Sequence, residues 1–250
     1  MPAENDVRIL DERTPNDRDR SFLPGMSRTW LLPLYDVFTR LAGVGALHRR
    51  VSDLAAIGPG EVVVDIGCGT GNLSFAVLAA QPRARVTGLD PDDAALRRAA
   101  RKARRRRVAL TLVRGYADRV PAEDGTVDHV VSSLALHHVD ADDRAAFAGD
   151  AFRALRPGGT ITIADFGGPA PAAGGTPHGG HGQHEHGPAH ALRHLPRLLR
   201  SRGARPAAIQ RDLGDGIRPL LADAGFTDVR EVDHVDHRLG RVAFVQATRP

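Results

Sequence analysis

The run Val62-Val63-Val64-Asp65-Ile66-Gly67-Cys68-Gly69-Thr70-Gly71-Asn72-Leu73 decides how the rest of the chain reads. Glu61–Ile66 is a short apolar run between Pro59-Gly60 and Gly67, the pattern of a strand buried on both faces. A strand that feeds a glycine-rich turn and then opens a helix presents backbone N–H groups to a ligand. Its glycines permit close approach and dihedrals that other residues resist.

Several nucleotide-binding folds use such a turn, and three details separate them. The dinucleotide fingerprint is G-x-G-x-x-G, whereas these glycines fall at 67, 69 and 71 and position 72 is Asn. Asp65 ends the strand, where a carboxylate repels a pyrophosphate and suits a cationic ligand. The Gly-Lys-Ser/Thr ending of a phosphate loop is missing. Downstream, Val86-Thr87-Gly88-Leu89-Asp90-Pro91 ends a second strand on Asp90, placed to accept hydrogen bonds from both hydroxyls of a ribose. The competing role for Asp90, capping the helix that starts at Pro91, is the weaker one beside that turn. S-adenosylmethionine carries a sulfonium, an ammonium and a carboxylate but no phosphate, and so matches this charge distribution.

Outward from the turn, apolar runs recur at Ala84–Leu89, Val108–Val113, Val127–Ser132 and Thr160–Ala164. Helical stretches lie between them at about Asn72–Ala80, Asp92–Arg105 and Asp142–Leu155. The alternation predicts a parallel sheet with helices on both faces. Arg156-Pro157-Gly158-Gly159 reads as a turn between a helix and the next strand. Leu220–Gly225 reads as the end of another helix, followed by an antiparallel pair at Asp228–Val235 and Arg241–Thr248. Ahead of the sheet, residues 1 to 25 read as a disordered polar arm, and residues 26 to 58 as a helical cap.

These motifs, in this order and spacing, resemble the class I S-adenosylmethionine-dependent methyltransferases. Asp65-x-Gly67-x-Gly69-x-Gly71, Asp90, Val127–Ser132 and Leu155-Arg156-Pro157-Gly158-Gly159 carry the likeness, and Ala224-Gly225-Phe226 extends it towards the C-terminus. Tyr35-Asp36 and Ile163-Ala164-Asp165-Phe166 are similar to signatures of the ubiquinone/menaquinone branch. The resemblance implies a doubly wound, Rossmann-like α/β domain over residues 26–250. Its sheet would have seven strands, mostly parallel, with an antiparallel C-terminal strand. It also implies S-adenosylmethionine as cofactor, held by Tyr35, Asp65, Gly67, Cys68, Gly69, Asn72, Asp90 and Pro91. The adenine would lie near Ala117 and Asp118, where Tyr116 replaces the acidic residue of many relatives. Ser132, Ser133 and Leu134 would flank the methionine part and the methyl group.

Methyl transfer from a sulfonium is an in-line displacement that mainly requires alignment and exclusion of water. A general base is needed only for a protonated acceptor, and His137 and His138, just beyond the fourth strand, are the candidates. A positional role for this pair is the weightier alternative. The Asn/Asp-Pro-Pro-Tyr/Phe motif of base-modifying amino methyltransferases is missing after the fourth strand. The one cysteine, Cys68, sits inside the turn rather than where covalent pyrimidine methylation needs it.

That single cysteine also removes disulfide frameworks and cysteine-built metal sites, and we assign no metal-ligating residue. No apolar run is long enough to span a bilayer and residues 1–20 lack the apolar core of a signal peptide, so a cytoplasmic protein without an integral membrane segment is expected. The sequence pI of about 10.1 invites a nucleic-acid partner, yet the net charge is only +4. Arginine supplies nearly all positive charge beside a sole lysine, Lys102, which looks compositional. The run Arg97–Arg107 is read as a solvated helix face ahead of an RNA or lipid contact. The Gly/His-rich insertion at 167–190, with His178, His181, His184, His186 and His190 and with His194 just beyond it, could bind a transition metal weakly. The expected function is methyl transfer to a small-molecule acceptor. The rivals are a nucleic-acid methyltransferase using the arginine run and a non-catalytic metal-binding or regulatory protein that keeps the pocket.

Overall fold

The computed structural model of this chain describes residues 6–17, 43–167, 216–237 and 240–250. Each apolar run of the sequence becomes a strand: β2 (Val62–Ile66), β3 (Arg85–Asp90), β4 (Leu110–Arg114), β5 (Val127–Ser133) and β6 (Leu155–Phe166). A further strand, β1 (Val7–Asp11), precedes them, and β7 (Thr227–His237) and β8 (Gly240–Thr248) follow. The helices are α1 (Val44–Ala55), α2 (Asn72–Ala80), α3 (Asp93–Arg106), α4 (Ala141–Ala154) and α5 (Ile217–Asp223).

The sheet runs β1-β4-β3-β2-β5-β6-β8-β7. Every neighbour pair is parallel except those made by β8, which runs antiparallel to both β6 and β7. The strand order reverses at β2, so the crevice at the carboxyl ends of β2 and β5 is where an open α/β sheet binds its ligand. Among the described residues the sheet has eight strands, one more than the seven expected.

The extra strand lies in the stretch read as a disordered arm. β1 pairs in register with β4 from Val7↔Leu110 to Asp11↔Arg114, and Glu12 N–H extends the ladder to the Arg114 carbonyl at 3.0 Å. Its sequence, Val-Arg-Ile-Leu-Asp, is short and its side chains are mostly exposed. An edge strand held chiefly by backbone hydrogen bonds leaves little apolar periodicity to detect. Residues 18–42, with Tyr35 and the first helical stretch of the expected cap, lie outside the described residues. So does the insertion beyond Gly167.

Alternation along each strand divides the core into two layers. Val63, Leu112 and Val131 face α1, α2 and α3, where Leu47, Val51, Phe75, Leu96 and Ala99 are buried. Val64, Val113 and Val130 face α4 and α5, where Phe147, Ala151, Ile217 and Leu221 are buried. This period of two, with both faces covered, is why the strands read as continuous apolar runs. Helix α2 (Asn-Leu-Ser-Phe-Ala-Val-Leu-Ala-Ala) is apolar nearly all round because α1 covers its outer side.

Arg156-Pro157-Gly158-Gly159, read as a turn, is a bulge within β6. Pairing jumps from Val127↔Leu155 to His129↔Thr160, and Gly158 takes φ +78°. A polar network closes this end of the sheet, away from the crevice. His129 bridges Thr160 Oγ1 (2.9 Å) and Glu61 Oε2 (2.8 Å), and Asp128 takes the Val62 N–H (2.8 Å) and Arg156 Nε (2.5 Å).

Phe147 is fully buried at the centre of the α4 layer. Phe147→Ala should therefore lower unfolding free energy by about 3–5 kcal/mol, read from chemical denaturation of the full chain.

Candidate active site

The glycine turn is docked on the end of β3. Gly67 N–H and Cys68 N–H both donate to the Leu89 carbonyl (2.9 and 3.0 Å), and Gly69 N–H donates to Asp90 Oδ2 (2.8 Å). Gly71 N–H closes the turn on the Cys68 carbonyl (2.8 Å) and caps α2. Gly67, Gly69 and Gly71 all lie at positive φ. A Cβ on Gly67 would clash with Ala135, whereas one on Gly69 meets nothing within 4 Å. The turn is thus pressed against the β5 end on one side and open on the other. The expectation of N–H groups free for a ligand needs correction, because four of them are consumed within the fold. A turn so saturated offers little to a pyrophosphate.

Two carboxylates flank it, Asp65 buried and Asp90 half-buried. Asp65 accepts from Ser74 Oγ at 2.5 Å, and burial pushes its pKa up to about 7. Asp90 spans the Gly69 N–H and the Asp92 N–H (2.8 Å each), and burial pushes it up to about 6. The helix cap once weighed for Asp90 belongs to Asp92, whose Oδ1 accepts from Ala94 N–H (2.9 Å) and Ala95 N–H (3.2 Å). Asp90 thus does not cap α3 itself, but holds the N–H of the residue that does. Two acidic groups held out of water favour a cationic, amine- or hydroxyl-bearing ligand over a phosphate.

The β5 end forms the opposite wall. Ser132 Oγ donates to the Ile66 carbonyl at 3.0 Å and ties β5 to β2. Ser133 Oγ is buried with no hydrogen-bond partner among the described residues. Leu134 takes φ +54°, a strained value for a branched residue, and turns the chain into the one-turn helix Leu136–His138. His137 is buried there, with Nδ1 2.7 Å from Asp165 Oδ1. The fully buried Asp165 also accepts the N–H groups of Leu136 (2.8 Å), His137 (3.3 Å) and Phe166 (2.8 Å). The His138 ring lies 4.0 Å from that of His137, and the Phe166 edge meets His137 at 5.0 Å.

With this geometry in place, comparison with known proteins is decisive. Residues 63–159 match the family described as "Methyltransferase domain". Residues 63–159 carry this methyltransferase domain. An uncharacterized methyltransferase of Synechocystis is 33% identical over 147 residues, covering 56% of this chain and 66% of the relative. The demethylmenaquinone methyltransferase of Thermus thermophilus is 31% identical over 147 residues, covering 58% and 65% respectively. The matched region thus spans just under two thirds of these relatives' length. Among solved structures, phosphoethanolamine N-methyltransferase 2 of Haemonchus contortus, bound to S-adenosylhomocysteine, shares the fold. Its TM-score is 0.53 at 16% identity, over 78% of this chain and 50% of that one.

Within the methyltransferase domain the structure brings Asp65, Gly67, Cys68, Gly69, Asp90, Ser133 and Leu134 around one crevice. Cys68 is buried with its thiol pKa raised by burial, and its sulfur fills the space a Cβ on Gly88 would need. Pro91 receives Arg114 Nε on its carbonyl (3.3 Å), and Ala117 and Asp118 follow β4 half-buried. The arginine run is largely exposed, with Arg97 paired to Asp93 (2.8 Å) and Arg106 stacked on Phe75 (4.3 Å). Among the described residues no acidic, histidine or cysteine cluster could hold a metal, and no helix is long and apolar enough to cross a membrane.

Two residues whose contacts shape this region escaped the sequence reading. One is Asp165 as the partner of His137. The other is Lys102, hidden inside the arginine run, which turns back onto the glycine turn. Its ammonium donates to the Thr70 carbonyl (2.8 Å), Thr70 Oγ1 (3.2 Å) and Asn72 Oδ1 (2.6 Å), and lies 5.3 Å from the Phe75 ring. That explains the place of Asn72 in the motif: its side chain locks the turn to α3. Its being the sole lysine was the only signal. Three converging acceptors suit a compact ammonium better than a planar guanidinium. Lys102→Met should cost about 1–3 kcal/mol in chemical denaturation, and Lys102→Arg should restore only part of it.

Proposed function

We propose that this chain transfers the methyl group of S-adenosylmethionine to a small-molecule acceptor. The observation that carries the reading is the pair of carboxylates, Asp65 buried and Asp90 half-buried, beside a turn whose N–H groups are already used. That arrangement selects against phosphates and for a ligand bearing cationic and hydroxyl groups. In this assignment Asp90 accepts from the ribose hydroxyls and Asp65 faces the ammonium end. Gly69 leaves the open side of the turn clear, while Gly67, Cys68, Asn72 and Pro91 hold its shape. Ala117 and Asp118 border the base, and Ser133 and Leu134 border the methionine end. Tyr35, outside the described residues, is carried from the sequence resemblance as a further cofactor contact. When bound, the cofactor supplies an electrophilic methyl on a sulfonium.

His137 is the group to accept a proton from the acceptor. With Nδ1–H donated to Asp165, the Nε2 lone pair is left for that task. His138 packs beside it and helps shape the acceptor side. Leu136, His137 and Phe166 are all pinned by one carboxylate, so the imidazole is pre-oriented rather than recruited on binding. The named activity of the Thermus relative makes a phenolic or quinol-like ring a reasonable first acceptor class to test.

Binding should depend on pH with a defined sign. Asp65 and Asp90 titrate near 7 and 6 in the ligand-free fold. Below those values they hold protons that a cationic ligand must displace. Affinity for S-adenosylmethionine should be full at pH 8 and weaken steadily as the pH falls to about 5.5, measured by titration calorimetry. No binding at millimolar cofactor at pH 8 would sink the proposal. Methyl transfer from labelled cofactor, screened across small-molecule acceptors, tests the rest. Once an acceptor is found, His137→Ala should lower kcat by about 10²–10⁴-fold. Asp165→Asn should lower kcat less and shift its pH profile, while KM for the cofactor stays near wild type. An unchanged kcat in His137→Ala would remove the base role.

A further inference from the structure

The segment ahead of the methyltransferase domain is not merely an added strand. Beyond Asp11 the chain continues the β4 ladder through Glu12 and makes a tight turn in which Asp17 Oδ2 accepts from Thr14 N–H and Thr14 Oγ1 (2.7 Å each). It is fastened to the sheet end at several points. Arg13 donates to both carboxylate oxygens of Asp11 (2.9 and 2.8 Å), Arg114 reaches the same carboxylate (3.9 Å), and Tyr116 Oη donates to the Asp17 carbonyl (3.4 Å). A recess opens beside this turn. It is lined by Leu89, Gly115, Tyr116, Asp118 and Arg119 at and just beyond the ends of β3 and β4, and by Glu12 and Asp17 from the N-terminal segment. Gly115 allows close approach here, since a Cβ would lie 3.1 Å from Leu89.

We infer that residues 12–17 form the outer wall of the adenine subsite, and that Glu12 helps select an amino-purine there. The inference rests on the cofactor reading above. Leu89 precedes the proposed ribose ligand, Asp90, so the base attached to that ribose falls one step further out, into this recess. Three carboxylates border it: Glu12, Asp17 and Asp118. A carboxylate accepts from the exocyclic amine of adenine and repels the carbonyl oxygen that takes its place in a 6-oxo purine. Asp17 already accepts twice from Thr14, whereas Glu12 is exposed at the rim and free to reorient. The segment lies outside the residues matched to the family, 63–159.

The experiment compares the full-length wild type with Glu12→Gln and Tyr116→Phe. Each is titrated calorimetrically with S-adenosylhomocysteine and with its 6-oxo counterpart, S-inosylhomocysteine. Wild type should prefer the adenosyl ligand by about tenfold or more. Glu12→Gln, whose amide can donate to a 6-oxo group, should shrink that preference several-fold. Tyr116→Phe, which releases the wall from β4, should weaken both ligands alike. Backbone amides of residues 7–17 should gain protection from hydrogen exchange when S-adenosylhomocysteine is added to wild type. An unchanged ligand ratio in Glu12→Gln, or unchanged exchange in residues 7–17 despite binding, overturns the proposal. If wild type binds neither ligand, it is the cofactor reading that has failed, and this proposal with it.

Discussion

The Asp90 carboxylate joins two elements that would otherwise be independent. One oxygen fixes the glycine turn through Gly69 N–H, and the other fixes the start of α3 through Asp92 N–H. Because the turn opens α2 and Asp90 ends β3, this one group sets the spacing of two βα units across the crevice. Removing it from water is costly unless it is hydrogen-bonded, and here the backbone supplies both donors. The remaining lone pairs stay available to a ligand. The same carboxylate can therefore hold the site together and serve it.

A second buried carboxylate plays the matching part on the other side. Asp165 gathers four donors from two segments and sets His137 at the end of β5. The strain at Leu134 is sustained by this clamp and by the Leu134 N–H bond to the Ala164 carbonyl (2.8 Å). Between the two clamps lies a gap walled by Gly67 and Ala135, which can approach closely only because one of them lacks a side chain. The polar groups at the far end of the sheet, His129, Glu61, Asp128 and Arg156, satisfy one another. Ionisable groups at that end pair with one another, whereas those at the crevice end hold the glycine turn and the chain beyond β5.

Much of this was legible in the chain. The apolar runs of β2 to β6 announce a two-faced parallel sheet because burial on both sides leaves no polar alternation. The glycine spacing and Asp65 narrow the ligand because backbone dihedrals and charge sign are local properties. Other features were hidden for physical reasons. β1 is an edge strand with exposed side chains, so it lacks an apolar signature. The Arg-Pro-Gly-Gly run has the composition of a turn, and only the pairing partner shows that the same residues form a bulge. His137 could be picked out by position, but Asp165 is 28 residues away and carries no motif that pairs them.

The sequence by itself determined the order of elements, the glycine turn and the acidic strand ends, since each follows from short-range periodicity and residue chemistry. The tertiary structure alone decided which groups those residues meet. It gave the helix cap to Asp92 and left Asp90 to the crevice. It turned Lys102 out of the basic face and onto the turn, and brought the N-terminal strand alongside β4. Each of these depends on contacts between distant segments, where packing and hydrogen-bond satisfaction, not local preference, choose the partner.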